Sequence, residues 1–302
     1  MIRLEGVTKR YRGRSAAAIE AIDLEIRDGE LLGLVGLNGA GKTTTIRVAA
    51  GLAVPTRGSV TVDGFDLSHD KVRASQRIGW APELFPFDPL AKALDLLSFY
   101  AGFSGFERKS ARAQAHELLA RVGLESAKNQ RIRTFSLGMQ RRFAIAAMML
   151  GDPHNLLLDE VLSGLDPKGL NFLRNWILEQ KHLSRAILLS SHLLSEIEAM
   201  ADRMALIHEG HLLRIVTRAD IARAASPLVR LRIRHFDTDG LRFLQSLGAV
   251  REVDDAILLA NPARELPDIV SELVRRGYQI DEARSENQSL EAYFLQVIDT
   301  AS

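Results

Sequence analysis

The sequence predicts an α/β protein of two domains: a large one with a mostly parallel core sheet and a helical subdomain, and a small α+β one behind it. Three observations predict it. Over residues 1–217, short apolar runs alternate with helical segments, as in strands joined by crossover helices. Between about 88 and 150 the apolar spacing changes to that of helices. From 218 to 302 the order becomes strand, helix, two strands, helix, strand. At 302 residues the chain has room for both domains, at roughly 100–200 residues each.

In chain order, Leu31 to Val35 reads as a buried strand and Thr43 to Ala50 as the helix after it. Leu94, Leu97 and Tyr100, then His116, Leu118, Leu119 and Val122, fall at helical spacing and build the helical subdomain. Leu156-Leu157-Leu158 and Ala186 to Ser190 are two further central strands. Leu228 to Phe236 alternates apolar side chains with Arg or His, as a half-solvated strand does. A helix (Gly240 to Leu247), strands around Val250 and Ile257, a helix (Glu265 to Arg275) and a strand (Tyr278 to Ala283) complete a βαββαβ order, which is ferredoxin-like. An amphipathic helix from Ser289 to Ile298 closes the chain. The change near residue 217 is one of pattern, with no long tether.

Composition narrows the function classes. With 46% hydrophobic and 25% charged residues, disordered and collagen-like chains are excluded. Lys and Arg number 39 against 38 Asp and Glu, a net charge of +1 that gives no reason to expect nucleic acid. Without cysteine there are no disulfides, zinc–thiolate sites or thiol chemistry. The longest apolar stretch, Phe143 to Leu150, is far short of the roughly 20 residues of a spanning helix. The start, Met-Ile-Arg-Leu-Glu-Gly, has no hydrophobic signal core, so a soluble protein is expected.

The strongest local signal is Gly36-Leu37-Asn38-Gly39-Ala40-Gly41-Lys42-Thr43, followed by Thr44. It matches G-x-x-x-x-G-K-[ST] between a strand and a helix. Glycines let the backbone wrap a polyphosphate and aim its N–H groups inward at the helix N-terminus. Lys42 reaches the β- and γ-phosphates, and the Thr43 hydroxyl is suited to Mg²⁺. A partner carboxylate is expected at the end of an apolar strand, and Leu156-Leu157-Leu158-Asp159-Glu160 supplies it. Asp159 would hold Mg²⁺, directly or through water, and Glu160 would face an attacking water as general base. Two carboxylates ending a buried strand repel and lose hydration, which a magnesium–nucleotide complex offsets.

Further motifs resemble those of the nucleotide-binding subunits of ABC transporters. Phe135-Ser136-Leu137-Gly138-Met139 stands in the place of the LSGGQ signature and continues as Gln140-Arg141-Arg142-Phe143-Ala144-Ile145-Ala146. Ser163-Gly164-Leu165-Asp166-Pro167 resembles the D-loop, and Ser190-Ser191-His192 the switch histidine. Tyr11, 25 residues before Gly36, suits the aromatic that stacks on adenine. The departures are Leu137 for the first glycine, Met139 for the glutamine, Glu83 at the Q-loop glutamine, and Val161-Leu162 after the acidic pair. The charge of Glu83 makes the site more acidic while still permitting a role towards Mg²⁺. The Arg141-Arg142 pair reads as helix-surface charge supporting the signature.

This resemblance implies a P-loop NTPase fold and an ATPase using ATP and Mg²⁺. It implies that two such subunits, identical or merely alike, close head to tail on ATP, with Ser136 to Met139 of one facing the cradle of the other. Glu160 and His192 would be catalytic, with His192 contacting the γ-phosphate, and Ser163 to Asp166 would lie at the subunit boundary. Integral membrane permease subunits are the implied partners, which places the chain on the cytoplasmic face of the cell membrane. Phe85-Pro86-Phe87-Asp88 is a candidate docking patch for them. The chain is similar to the ABC-2-type exporter ATPases, in which residues 218–302 would be a dimerisation or regulatory module; Ser289 to Leu295 resembles the close of such extensions. An ATPase serving nucleic acid or the ribosome and a small-molecule kinase are the rival classes; the single cassette and the signature segment argue against them.

Overall fold

The computed structural model describes every residue except Leu84, 225–227, 254–255, 261, 287–289, 291–292, 295–296 and 299–302. The chain forms two compact units, Met1–Val216 and the residues from Thr217 onward.

The first unit begins with β1 (Ile2–Lys9), β2 (Ile19–Ile26), β3 (Leu31–Val35) and α1 (Lys42–Ala49). After these come β4 (Arg57–Val62), β5 (Phe65–Asp66), α2 (Lys71–Ser75) and β6 (Ile78–Ala81). The helical subdomain supplies α3 (Ala93–Phe103), α4 (Arg108–Arg121) and α5 (Leu137–Met148). The unit ends with β7 (Asn155–Asp159), α6 (Pro167–His182), β8 (Ala186–Ser190), α7 (Leu194–Met200), β9 (Arg203–His208) and β10 (His211–Thr217), which runs across the boundary.

Two sheets organise this unit. One has the order β2-β1-β4-β5 with antiparallel pairing; the other is six-stranded, β10-β9-β3-β8-β7-β6. In the second, β9, β3, β8, β7 and β6 run parallel. The distinction is written in the side chains. β3 (LLGLV), β7 (NLLLD) and β8 (AILLS) are buried at every position, as strands covered on both faces must be. β1 mixes buried Ile2, Leu4 and Val7 with exposed Arg3 and Glu5, as a sheet with one wet face does. Ile2, Ile26, Leu34, Ile46 and Leu188 belong to one apolar cluster spanning both sheets.

The parallel sheet places the chemistry. β3, β8 and β7 lie side by side, in a register that sets Asp159 opposite Ser190 and Ser190 opposite Leu34. Their carboxyl ends therefore emerge together, which is where open α/β sheets bind ligands. The glycine loop leaves β3 there, the acidic pair ends β7, and His192 follows β8.

The second unit contains α8 (Arg218–Ala224), β11 (Leu228–Arg234), α9 (Thr238–Gln245), β12 (Ala249–Val253), β13 (Ala256–Ala260), α10 (Leu266–Arg275) and β14 (Gln279–Glu286). Its sheet order is β12-β13-β11-β14 with antiparallel pairing throughout. Val229, Leu231, Leu244, Leu259, Ile269 and Leu273 form its core. β11 stops at Arg234, before the expected Phe236, because His235 turns the chain at φ +50°. Asp237 caps α9, accepting from the Gly240 N–H at 2.9 Å. Half of the expected closing helix, Ser289 to Ile298, lies outside the described residues; within it Leu290, Tyr293 and Phe294 are helical and buried.

Candidate functional site

Gly36 to Thr44 arch over the end of β3 and enter α1. Gly41, the N-cap, has φ +110°, and a Cβ there would lie 2.8 Å from the Ala18 carbonyl, so only glycine fits the entry into the helix. The loop lines an open cleft of about 1260 Å³, together with Tyr11, Glu83, Glu160 and His192. Lys42 is buried; its Nζ donates to the carbonyls of Gly36 at 2.7 Å and Leu37 at 3.2 Å, and stands 3.8 Å from Glu160 Oε1.

Asp159 is 1% exposed and receives two hydroxyls on Oδ1: Ser190 at 2.8 Å and Thr43 at 3.3 Å. Burial holds its pKa above the usual carboxylate range, against these two hydrogen bonds and with help from the charges of Glu160 and Glu83. A hydroxyl and a buried carboxylate are hard oxygen donors, and the like charges around them favour a bound cation, so the set fits Mg²⁺. Among the described residues there is no cluster of three or more His, Cys, Asp and Glu that could hold a metal by themselves.

Glu160 carries backbone strain, with φ +52° on a residue that has a Cβ. Its N–H is held by the Ser190 carbonyl at 3.2 Å and by Ser190 Oγ at 3.1 Å. Its Oε2 accepts three bonds: from the Ser163 hydroxyl at 2.9 Å, from the His192 backbone N–H at 3.2 Å and from His192 Nδ1 at 2.8 Å. Oε1 faces Lys42. One carboxylate oxygen is thus saturated by its own chain and the other is left to the cleft.

The signature segment lies elsewhere. Ser136 caps α5, its Oγ accepting from the Met139 N–H at 3.3 Å. Ser136 and Leu137 are exposed, Gly138 and Met139 half-buried, and none of the four lines the cleft. Leu137 occupies a glycine position of the motif without distorting it, because Gly164 makes room: its Cδ2 would be 3.0 Å from a Cβ at Gly164. Asp166 spends its carboxylate as the cap of α6, accepting from the Gly169 N–H at 3.1 Å. Of the loop Ser163 to Asp166, Ser163 alone hydrogen-bonds to Glu160 and His192.

One sequence reading is corrected. Arg141 is not helix-surface charge: it is 5% exposed, and its Nη1 donates to the carbonyls of Pro82, at 3.4 Å, and of Glu83. Burial pushes its pKa down, opposed by the charges of Glu83, Glu160 and Asp159. The signal was available, since Arg141 lies in helical phase with buried Ala144, Ile145 and Met148. The patch Phe85 to Asp88 is divided: Phe87 stacks on Phe85 at 5.1 Å and meets buried Phe143 edge-on at 4.8 Å. A second depression, of about 890 Å³, opens beside it between Pro86, Leu90, Phe99 and Arg131. Exposed Leu90 and Phe99 give it an apolar rim. Among the described residues no helix is long and apolar enough to cross a membrane.

Comparison with known proteins agrees with this geometry. Residues 19–163 match the family model described as ABC transporter. The chain is 35% identical to the ABC transporter ATP-binding protein NatA of Bacillus subtilis, over 70% of this chain and 88% of that one. It is 31% identical to the bacitracin transport ATP-binding protein BcrA of Enterococcus faecalis, over 99% and 96% of the two chains. Among solved structures, an ATP-binding subunit of an ABC transporter superposes with a TM-score of 0.67 at 28% identity, covering 74% of this chain and 92% of that one. A dimeric, post-hydrolysis ATP-binding cassette bound to ADP and Pi shares the fold, with a TM-score of 0.66 at 24% identity over 72% and 98%.

Proposed function

Because the chain belongs to the ABC transporter family as an ATP-binding subunit and ATPase, we propose that it powers export through separate membrane permease subunits by closing head to tail with a like subunit over shared ATP. The observation that carries this reading is the separation described above. A phosphate cradle and Glu160 lie in one cleft, while a capped helix N-terminus with exposed Ser136 does not line it. A helix N-terminus is an anion site; a second copy would bring it a phosphate.

Each residue then has a task. Tyr11 offers its ring to adenine; Lys9 Nζ already lies 5.2 Å from the ring centroid. The backbone N–H groups of Gly36 to Thr44 cradle the phosphates, and Lys42 exchanges its two carbonyl partners for them. Thr43 and Asp159, with Glu83 facing the cleft, would hold Mg²⁺, which when bound neutralises charge developing on the phosphates. Glu160 takes the proton of the attacking water on Oε1, because Oε2 is occupied. His192 holds Oε2 through Nδ1, and its Nε2, which makes no hydrogen bond among the described residues, reaches for the γ-phosphate. Such a base contributes about 10²–10⁴-fold. The depression beside Phe85 to Asp88 would receive the permease.

We further read residues 218–302 as a ferredoxin-like module for dimerisation or regulation, on the strength of the strand order β12-β13-β11-β14. BcrA, named for bacitracin transport, matches across nearly the whole chain, which supports a role in transport; export, from the cytoplasmic face of the membrane, is the direction we propose. The test is Glu160→Gln. With the base removed and the cradle intact, the variant should bind ATP, and ATP should raise its dimer fraction above that of the nucleotide-free protein. A variant that stays monomeric in saturating ATP defeats the head-to-tail reading.

A further inference from the structure

Arg141 is a buried charge that the account above leaves without a task. It belongs to α5, the helix that Ser136 caps, and it ends on the backbone of the turn that carries Glu83. Arginine is an expensive way to fill this space. A buried cation loses its hydration, and Arg141 Nε finds no hydrogen-bond partner among the described residues. Methionine would occupy similar volume without that cost. Packing does not explain the residue; what it grips does.

We infer that Arg141 is a positioning residue for hydrolysis, tying the helix behind Ser136 to the backbone at Pro82 and Glu83 so that the two shift as one body. This rests on the reading of Glu83 as a cleft residue facing nucleotide or its metal. Arg141 acts in two ways. Its guanidinium fixes the path of the chain by holding two successive carbonyls, which a point-charge ammonium does less well. Its charge also offsets the three carboxylates of Glu83, Asp159 and Glu160, which act on it together. An uncharged glutamine at position 83 would need less of this compensation. The Glu83 departure from the family motif and the buried Arg141 are, on this view, two halves of one arrangement.

The experiment uses the full chain with Arg141→Met, Arg141→Lys, Glu83→Gln and the double variant Arg141→Met/Glu83→Gln. Amide hydrogen exchange without nucleotide reads the tie directly. Arg141→Met should speed exchange across 80–88 by about tenfold, as expected for losing a charge-assisted hydrogen bond. Arg141→Lys should fall between it and the parent, and carries the test if the methionine variant does not fold. In ATPase assays Arg141→Met should lower kcat by about tenfold with KM for ATP changed by less than about threefold. The double variant should lose less than the product of the single losses, since Glu83→Gln removes one of the charges to be offset. Unchanged exchange in both Arg141 variants, or losses that simply multiply although Glu83→Gln alone lowers activity, would overturn the inference. An inert Glu83→Gln with a loosened turn in Arg141→Met would remove Glu83 from the site and leave the Arg141 tie standing.

Discussion

The cleft and the signature turn are built on opposite plans. In the cleft, the ionic groups already have partners from their own chain: Lys42 rests on two carbonyls, Asp159 on two hydroxyls and Glu160 on three donors. At the signature turn, Ser136 is exposed and its hydrogen bond goes to the helix it starts. The first region is held in place by its own chain, as electrostatic preorganisation requires. The second, on the proposed reading, is half of a shared site. The difference teaches, on that reading, that each chain holds the groups for hydrolysis while depending on another surface to begin it, and mutations should divide along the same line.

The largest effect belongs to the cleft. Glu160→Gln keeps the shape of the side chain and the bonds to Oε2 while removing the base, so steady-state ATPase should fall by about 10²–10⁴-fold. ATP affinity, measured by equilibrium titration, should stay within about threefold; a loss of binding would mean that the group shapes the cradle instead. Next comes the half-site. At Gly138 the nearest atom to an added Cβ is Leu165 Cδ2 at 3.9 Å, so Gly138→Asp should fold normally. Its carboxylate would repel phosphate at the helix N-terminus. ATPase should drop by about 10–100-fold, and the ATP-dependent dimer of Glu160→Gln should disappear when both changes are combined. Normal nucleotide binding by the lone chain is expected throughout.

A smaller effect sharpens the comparison through stability. The Asp159 pKa is raised in the folded chain, so the folded state holds a proton that the unfolded state releases. Stability therefore falls as pH climbs from the ordinary carboxylate range through the raised folded value, and the deficit persists above it. Asp159→Asn should melt about 2–4 °C higher than the parent at neutral pH without nucleotide. The gap should close as pH drops below the ordinary range, and Mg²⁺-dependent ATPase should be lost. A constant gap across pH would assign the effect to packing. The smallest change is expected for Leu137→Gly, which restores the family residue; ATPase should move by less than about threefold. A larger shift would make the Leu137–Gly164 contact more than an accommodation.

Legibility in the sequence follows the same division. Gly36 to Thr43 could be read because its spacing is the loop: glycines, lysine and hydroxyl at those intervals allow few other shapes. The continuous apolar runs 31–35, 156–158 and 186–190 announced strands covered on both faces. The pairing of Ser190 with Asp159 could not be read, since it depends on the register between two strands distant in sequence. Nor could the three bonds on Glu160 Oε2, which arise where two loops converge. Arg141 was hidden by its neighbour: two adjacent arginines suggest a solvated face, and only the helical phase separates the buried one from Arg142. The strand end at His235 depended on a single backbone angle that no propensity encodes.

The posture of Lys42 has one more consequence. With its ammonium on the carbonyls of Gly36 and Leu37, Lys42 meets an entering anion with a charge already shared with two oxygens. Whatever enters must outbid two carbonyl dipoles. A triphosphate, with several oxygens to trade, can meet that demand where inorganic phosphate gains less. That exchange favours a polyphosphate over a lone phosphate at Lys42.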